Sequence, residues 1–369
     1  MRILQIGKFY PPDVGGIESA LFDITEELNR REVRCDVLCS NSKNEYSSDT
    51  VCGYRITRTR SLGMAFSVSL TPQMIYKLCE IADQYDILHI HHPDPMANLA
   101  LLCAAKKHQK IVLHWHSDII RQKAALKLYA PLQNWMLKRA SAIIATSPPY
   151  ILGSAYLTRF QSKSISIPLG IRPLQWNADF VASIRERFPS KNIVFALGRF
   201  IYYKGFEYLI ESANFLDNKT IVLIGGDGPL RKKFEALISQ NNLQGKVHLL
   251  GRIPQEHLGS YFQACDVFCM PSIERSEAFG LAQVEAMSLG KPVVATTIPG
   301  SGVAWVNQNG ESGINVPPRD APALAQAINS ILQDSTLRDR LSKGAIERFR
   351  TEFTIEKEVD RLLQLYQSL

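Results

Sequence analysis

The sequence predicts an α/β protein made of two Rossmann-like, doubly wound domains facing each other across a cleft. Three observations lead there. Short aliphatic runs alternate with helix-length amphipathic stretches, the pattern of a parallel sheet covered by helices. The series starts again midway along the chain. A length of 369 residues, with 46% hydrophobic and 21% charged content, suits two cores better than one.

In the first half the predicted strands are residues 2–6, 35–39, 87–90, 111–114, 142–145 and 165–167, with helical stretches such as 19–30 and 72–84 between them. In the second half they are 193–197, 220–224, 247–249, 267–270, 293–296 and 313–316. Residues 168–179 carry two prolines with glycine and tryptophan breaks and read as the linker. The domains are therefore placed at 1–171 and 172–350. Residues 351–369 read as a closing helix with no strand after it to pack beside, so it is expected to fold back over the first domain.

The amino terminus turns polar after six residues, too early for a signal peptide, and no apolar run nears the ~20 residues that a membrane-spanning helix needs. A cytoplasmic protein is expected. The seven cysteines fit that compartment: Cys35, Cys39, Cys265 and Cys269 sit in apolar strand-like runs and read as buried, reduced thiols rather than metal ligands.

The net charge is +7, and residues 119–178 contain no acidic residue. That stretch carries Arg121, Lys123, Lys127, Lys138, Arg139, Arg159 and Lys163 among Leu126, Leu128, Tyr129, Leu132, Trp135 and Met136. A one-sign surface with apolar neighbours suits an anionic lipid surface. Residues 121–163 are therefore expected to make peripheral contact with the cytosolic face of a membrane; a face that steers anionic substrates is the alternative. No recognisable nucleic-acid-binding motif accompanies the charge.

In doubly wound sheets, ligands bind beyond the carboxyl ends of the strands. Gly15-Gly16 follows the first strand and opens a helix, so backbone amides there can approach a phosphate. Five of the eight histidines, His89, His91, His92, His114 and His116, cluster at two adjacent strand ends. Period-two alternation puts His114 and His116 on one face, with Asp118 two further on. In the second half, Gly198-Arg199…Lys204-Gly205 places two cations and two glycines in one strand-to-helix loop, suited to a diphosphate. Gly226-Asp227-Gly228-Pro229 is a second permissive turn. Finally Glu277 lies in a loop after a strand, and Glu285 about two turns into the next helix, whose first turn is Phe279, Gly280 and Leu281. Amides there can face phosphate or sugar oxygens while the carboxylates accept from hydroxyls.

The segment Glu277 to Glu285, with its internal Phe-Gly, resembles the Glu-x7-Glu signature of family 4 glycosyltransferases. The resemblance spans the chain, taking in Pro-Pro-Asp-Val-Gly-Gly-Ile-Glu near the start, His-Ser-Asp-Ile at 116–119, Gly-Arg…Lys-Gly at 198–205 and Gly-Asp-Gly-Pro at 226–229, in the family's order. It implies the GT-B fold and transfer of a sugar from a nucleotide-diphosphate donor with retention at the anomeric carbon. By matching positions, Arg199 and Lys204 hold the diphosphate and Glu277 binds donor-sugar hydroxyls. Glu285 binds the ribose, the amides of Phe279, Gly280 and Leu281 touch sugar and phosphate, and Gly16, beside Gly15, lies against the donor phosphate. His116 matches the pocket histidine beside donor sugar and acceptor, and Ile253 is expected at the base. His116, Arg199, Lys204 and Glu277 are the expected catalytic set.

No Asp-x-Asp occurs in the sequence. Metal-independent activity with no cofactor is therefore expected. The resemblance further suggests bacterial surface-polysaccharide assembly, such as O-antigen synthesis, with a polyprenyl-diphosphate-linked saccharide as acceptor. GDP-mannose is the favoured donor, with a UDP-hexose or UDP-N-acetylhexosamine as the alternative. A non-catalytic sugar-nucleotide-binding subunit and a phosphorylase using pyridoxal phosphate are the rival readings. Intact Arg199, Lys204, Glu277 and Glu285 weigh against the first, and the short chain against the second.

Overall fold

A computed structural model describes residues 1–13, 15–65, 68–119 and 123–369, with the backbone alone at 123–126. The chain forms two compact units: residues 1–170 with 355–369, and residues 171–354.

The first unit runs β1 (Arg2–Gly7), α1 (Gly16–Arg30), β2 (Arg34–Ser40), β3 (Ser47–Val51), β4 (Tyr54–Thr59), the short hairpin strands β5 (Met64–Ala65) and β6 (Val68–Ser69), α2 (Gln73–Ile81), β7 (Ile87–His92), α3 (Pro95–Ala104), β8 (Lys110–Trp115), α4 (Lys123–Arg139), β9 (Ala142–Ala145), α5 (Pro148–Gly153) and β10 (Ser164–Ser166). Its eight-stranded sheet has the order β10-β9-β8-β7-β1-β2-β4-β3, parallel except for the β3–β4 pair. The strands form because apolar residues occupy both faces: Ile3, Leu4, Ile6, Leu88, Ile90, Ile111 and Leu113 are all buried. Where the strand order reverses, β1 lies between β7 and β2, so the carboxyl ends of β1 and β7 flank the switch point.

The second unit runs α6 (Ala178–Arg187), β11 (Asn192–Leu197), α7 (Phe206–Ser212), β12 (Thr220–Gly225), α8 (Arg231–Gln240), β13 (Val247–Gly251), α9 (Gln255–Ala264), β14 (Val267–Met270), α10 (Leu281–Ser288), β15 (Val293–Thr296), α11 (Val303–Val306), β16 (Gly313–Val316), α12 (Ala321–Gln333) and α13 (Ser335–Glu352). Its six-stranded sheet is wholly parallel in the order β13-β12-β11-β14-β15-β16, and the switch point lies between β11 and β14. Phe200, Phe206 and Phe234 stack edge to face in the core beneath α7 and α8.

The unit continues past residue 350 because α13 is anchored to it. The Arg348 guanidinium donates to the carbonyls of Val306 (2.8 Å) and Trp305 (2.5 Å), and Phe353 packs edge-on against Trp305 and Phe279.

The chain then re-enters the first unit as α14 (Ile355–Ser368). Its inward face, Ile355, Val359, Leu362, Leu365 and Tyr366, belongs to the same core as Ile3, Ile24, Leu28 and Val112. Buried Glu358 accepts a hydrogen bond from the Gly170 amide at 2.7 Å.

Candidate active site

In the second unit the candidate residues come from the two loops that leave the switch point. The loop after β11 carries Arg199, exposed, and Lys204, largely buried. The loop after β14 carries Glu277, which is 8% exposed. Lys204 Nζ lies 2.6 Å from Glu277 Oε2, and the Ser272 hydroxyl donates to the same oxygen at 3.0 Å. Burial opposes the Lys204 charge, but Glu277, Tyr203 and Glu285 together outweigh it and hold the ammonium above its ordinary value.

Glycine makes this approach possible. A Cβ on Gly205 would stand 2.1 Å from the Pro271 carbonyl oxygen, and Gly205 adopts φ +64°, which side chains disfavour. The Ile273 amide bonds the Tyr203 carbonyl at 2.8 Å, tying the two loops by their backbones. The Lys204 stem lies across Gly198, where a Cβ would come within 3.0 Å of Cε.

Gly280 opens α10 at φ +80° and packs on the Met270 sulfur. Phe279, Gly280 and Leu281 lead into the amino terminus of α10, where the Gln283 amide is already taken by the Gly280 carbonyl at 3.0 Å. Leu281 and Glu285 are one turn apart on the same half-buried face, and the Glu285 charge reaches Lys204. Gln283 faces inward and donates to the Phe279 carbonyl at 2.7 Å, holding the turn. Ile253 packs across Gly225 at the end of β12, next to the same switch point. The second-unit candidates thus gather at the carboxyl ends of β11, β12 and β14. The Ser272 contribution was not read from the sequence; its only signal is a small hydroxyl just after an apolar strand.

In the first unit Gly15 caps α1 and its carbonyl accepts from Ser19. Among the described residues, no atom beyond its chain neighbours and its own helix backbone lies within 4 Å of where a Cβ on Gly16 would stand. Val14, between Asp13 and Gly15, lies outside the described residues.

The five histidines divide. His92 stacks on Trp115 at 3.9 Å, on the opposite face of the sheet from the other four. His89, His91, His114 and His116 form a column of stacked rings, with centroids 5.0 Å apart for His89–His91 and 4.2 Å for His114–His116. Burial holds His89 and His116 down at about 3, and His91 and His114 well below the ordinary range. Only His116, 6% exposed at the end of β8, stands at the rim.

Asp118 does not join His116 as alternation predicts. The chain leaves the strand after Trp115, and the Asp118 carboxylate accepts from the Trp115 indole (2.7 Å) and the Ser154 hydroxyl (2.9 Å). It fixes the loop.

The basic stretch is also less free than its composition suggests. Arg139 donates to the Lys106 and Gln109 carbonyls, and Lys163 donates to the carbonyls of Lys138 and Ala140, closing the end of α4. Met136 and Leu137 are buried. Lys127, Lys138 and Arg159 remain exposed, as does Leu128 at 87%. Arg121 and the side chains of Lys123 and Leu126 lie outside the described residues. No helix among the described residues is long and apolar enough to cross a membrane.

Two doubly wound units, each with polar and glycine-rich loops at its switch point, are the build of the GT-B transferases. Residues 14–150 match the family described as Glycosyltransferase Family 4, and residues 181–348 match Glycosyl transferases group 1. The chain is 31% identical over 372 residues to O-antigen chain mannosyltransferase C of Escherichia coli, covering 100% of this chain and 99% of that protein. It is 29% identical to the D-rhamnosyltransferase WbpZ of Pseudomonas aeruginosa, covering 96% and 92%. Among solved structures, Anabaena HepE in complex with UDP-glucose superposes with a TM-score of 0.78 at 20% identity over the full length of both chains. Sucrose-phosphate synthase from Thermosynechococcus elongatus superposes at 0.79 with 23% identity, covering 100% and 99%. These structural likenesses bear on the fold. The chain belongs to the family 4 glycosyltransferases and has the GT-B fold.

Proposed function

We propose that this glycosyltransferase moves mannose from GDP-mannose, with retention and without a metal, onto a lipid-linked saccharide during O-antigen or related surface-polysaccharide assembly. The observation that carries the donor site is the Lys204–Glu277 pair at 2.6 Å beside the α10 amino terminus. A diphosphate draws Lys204 and Arg199 to itself, and their charge stabilises the leaving group as it develops. Glu277, released from Lys204, then accepts from hydroxyls of the donor sugar. Glu285 takes the ribose and Ile253 packs by the base, while Gly16 meets the donor phosphate and His116 stands beside the donor sugar. Two cations where the leaving group departs take the place of a divalent ion. The acceptor is deprotonated with help from the leaving phosphate on the same face of the sugar. A trapped glycosyl-enzyme adduct would overturn that route. The O-antigen mannosyltransferase relative supports the choice of sugar and of acceptor class.

The test is a thermal-shift panel of UDP, GDP, ADP and CMP, each with and without EDTA. A ligand that binds only the folded state raises stability by ~2.7 kcal/mol at a hundredfold excess over its dissociation constant. A selective, EDTA-insensitive shift with GDP is expected. A UDP-selective shift would replace the donor, and no shift with any nucleotide would favour a non-catalytic subunit. For the membrane contact, Leu128→Glu with Lys127→Glu and Lys138→Glu should abolish co-sedimentation with anionic vesicles. Arg139 and Lys163 are left intact because their hydrogen bonds hold the fold. Unchanged sedimentation would rule out this surface.

A further inference from the structure

Glu277 has neutral partners that do not depend on Lys204. The Ser272 hydroxyl donates to Oε2 at 3.0 Å, the same oxygen that Lys204 Nζ approaches to 2.6 Å. The other carboxylate oxygen, Oε1, takes no hydrogen bond from the described residues. At the backbone, the Ser301 hydroxyl donates to the Glu277 carbonyl, and the Gly302 amide donates to the neighbouring Ala278 carbonyl at 2.8 Å.

The sequence after β15 builds this backbone clamp. Ile298-Pro299-Gly300-Ser301 closes a turn through the Ser301 amide, which donates to the Ile298 carbonyl at 3.1 Å. Proline stands at its second position and glycine, at φ +69°, at its third, which is the type II arrangement. The turn brings Ser301 onto the loop that follows β14, where its hydroxyl also accepts from the Val303 amide at 3.2 Å. Strand β15 adds a tie of its own: the Thr296 hydroxyl donates to the Ser272 carbonyl at 2.5 Å. Ser272 and Thr296 are fully buried, and Ser301 is 3% exposed.

The two contacts on Oε2 respond differently to an anionic ligand. A diphosphate competes with the carboxylate for the Lys204 ammonium, because a cation makes its strong hydrogen bonds to either anion. The Ser272 hydroxyl is neutral, and its backbone is fixed by Thr296 just past β14. When Lys204 turns to a diphosphate, Oε2 therefore keeps Ser272, and the carboxylate stays in place. Oε1 is then the oxygen free to accept from a hydroxyl of the donor sugar.

We propose that Ser272 and Ser301 are positioning residues for Glu277: Ser272 retains Oε2 when Lys204 is withdrawn, Ser301 fixes the backbone, and Oε1 is presented to the donor sugar. Neither serine touches substrate. The sugar at Oε1 rests on the reading of Glu277 under the proposed function, whereas the hold on Oε2 does not.

Two measurements separate these parts. The first needs no ligand. Lys204→Ala imitates withdrawal of the ammonium, so Ser272→Ala should lower the melting temperature about twice as far in that background as in the wild type, where Lys204 still holds the carboxylate. An equal or smaller drop would overturn the hold on Oε2. The second compares, by calorimetry, affinity for GDP with affinity for GDP-mannose, and affinity for UDP with affinity for UDP-glucose. Ser272→Ala should leave the dissociation constant of the bare diphosphate unchanged and weaken the sugar nucleotide about three- to tenfold, the weight of a single hydrogen bond. Ser301→Ala, which loosens the backbone instead of the carboxylate, should do the same and serves if Ser272→Ala does not fold. An unchanged ratio in both variants would overturn the placement of the sugar, as would an equal loss of both ligands, which a merely structural role would give. A wild type that binds neither nucleotide would count against the donor reading, and the melting series would still decide the role of Ser272.

Discussion

Lys204 and Glu277 neutralise each other at 2.6 Å, and their side chains are only 15% and 10% exposed. Removing one partner leaves the other charge largely buried, whereas removing both relieves that cost. Lys204→Ala should therefore destabilise the protein more than the double variant Lys204→Ala/Glu277→Ala. A coupling energy of about 1–3 kcal/mol is expected from a denaturation cycle. The same single variant should lower kcat/KM about 10²–10³-fold through the loss of leaving-group stabilisation. Additive stabilities would mean the ion pair is incidental. At this scale the grouping of the candidates was legible: Arg199, Lys204 and Glu277 stand in loops where a strand end meets a helix, and Glu285 on the helix that follows. Ser272 was not, because a single polar residue beside an apolar run carries no sign of what it faces. Asp118 was misplaced, since alternation stops where the strand stops and the next side chain answers to the Trp115 indole instead.

The strands of both sheets were legible as elements because their aliphatic runs are buried on both faces. The β3–β4 hairpin was missed for two physical reasons. Its outer strand, Ser-Ser-Asp-Thr-Val, is an exposed, polar edge, and its turn uses Cys52 and Gly53 at φ +49° and +90°, where asparagine-glycine would have announced it. Glycines separate the same way, by what surrounds them. Gly205→Ala places a methyl against the Pro271 carbonyl in a left-handed backbone and should lower stability by more than ~1 kcal/mol. Gly16→Ala enters open space and should leave the melting temperature within about a degree, while weakening nucleotide binding if a phosphate approaches there. Equal melting temperatures for the two variants would contradict the packing described.

For the whole molecule, acid is the telling perturbation. His89, His92 and His116 are held near 3, and His91 and His114 well below their ordinary value of 6.5, in each case first by burial. The folded state refuses protons that the unfolded chain takes up. Stability from these neutral rings is therefore complete above pH 6.5 and is lost as pH falls toward the folded values. Each group contributes up to ~1.4 kcal/mol per pH unit. Calorimetry should show a melting temperature that is flat above pH 7 and falls steeply between pH 6 and 5. A flat profile down to pH 5 would mean that the column is hydrated.

The path of the chain sets a timetable as well as a shape. Ile355, Val359, Leu362 and Tyr366 complete the core that begins with Ile3, so the first unit must wait while residues 171–354 are made. At ~5–20 residues per second, that is about 10–40 s on the ribosome with an unfilled apolar face. The later-begun unit can close first. A fragment of residues 1–170 should aggregate when made alone, and a peptide of residues 355–369 supplied during refolding should keep it in solution. If the fragment stays monomeric without the peptide, the last helix is dispensable and no such delay exists.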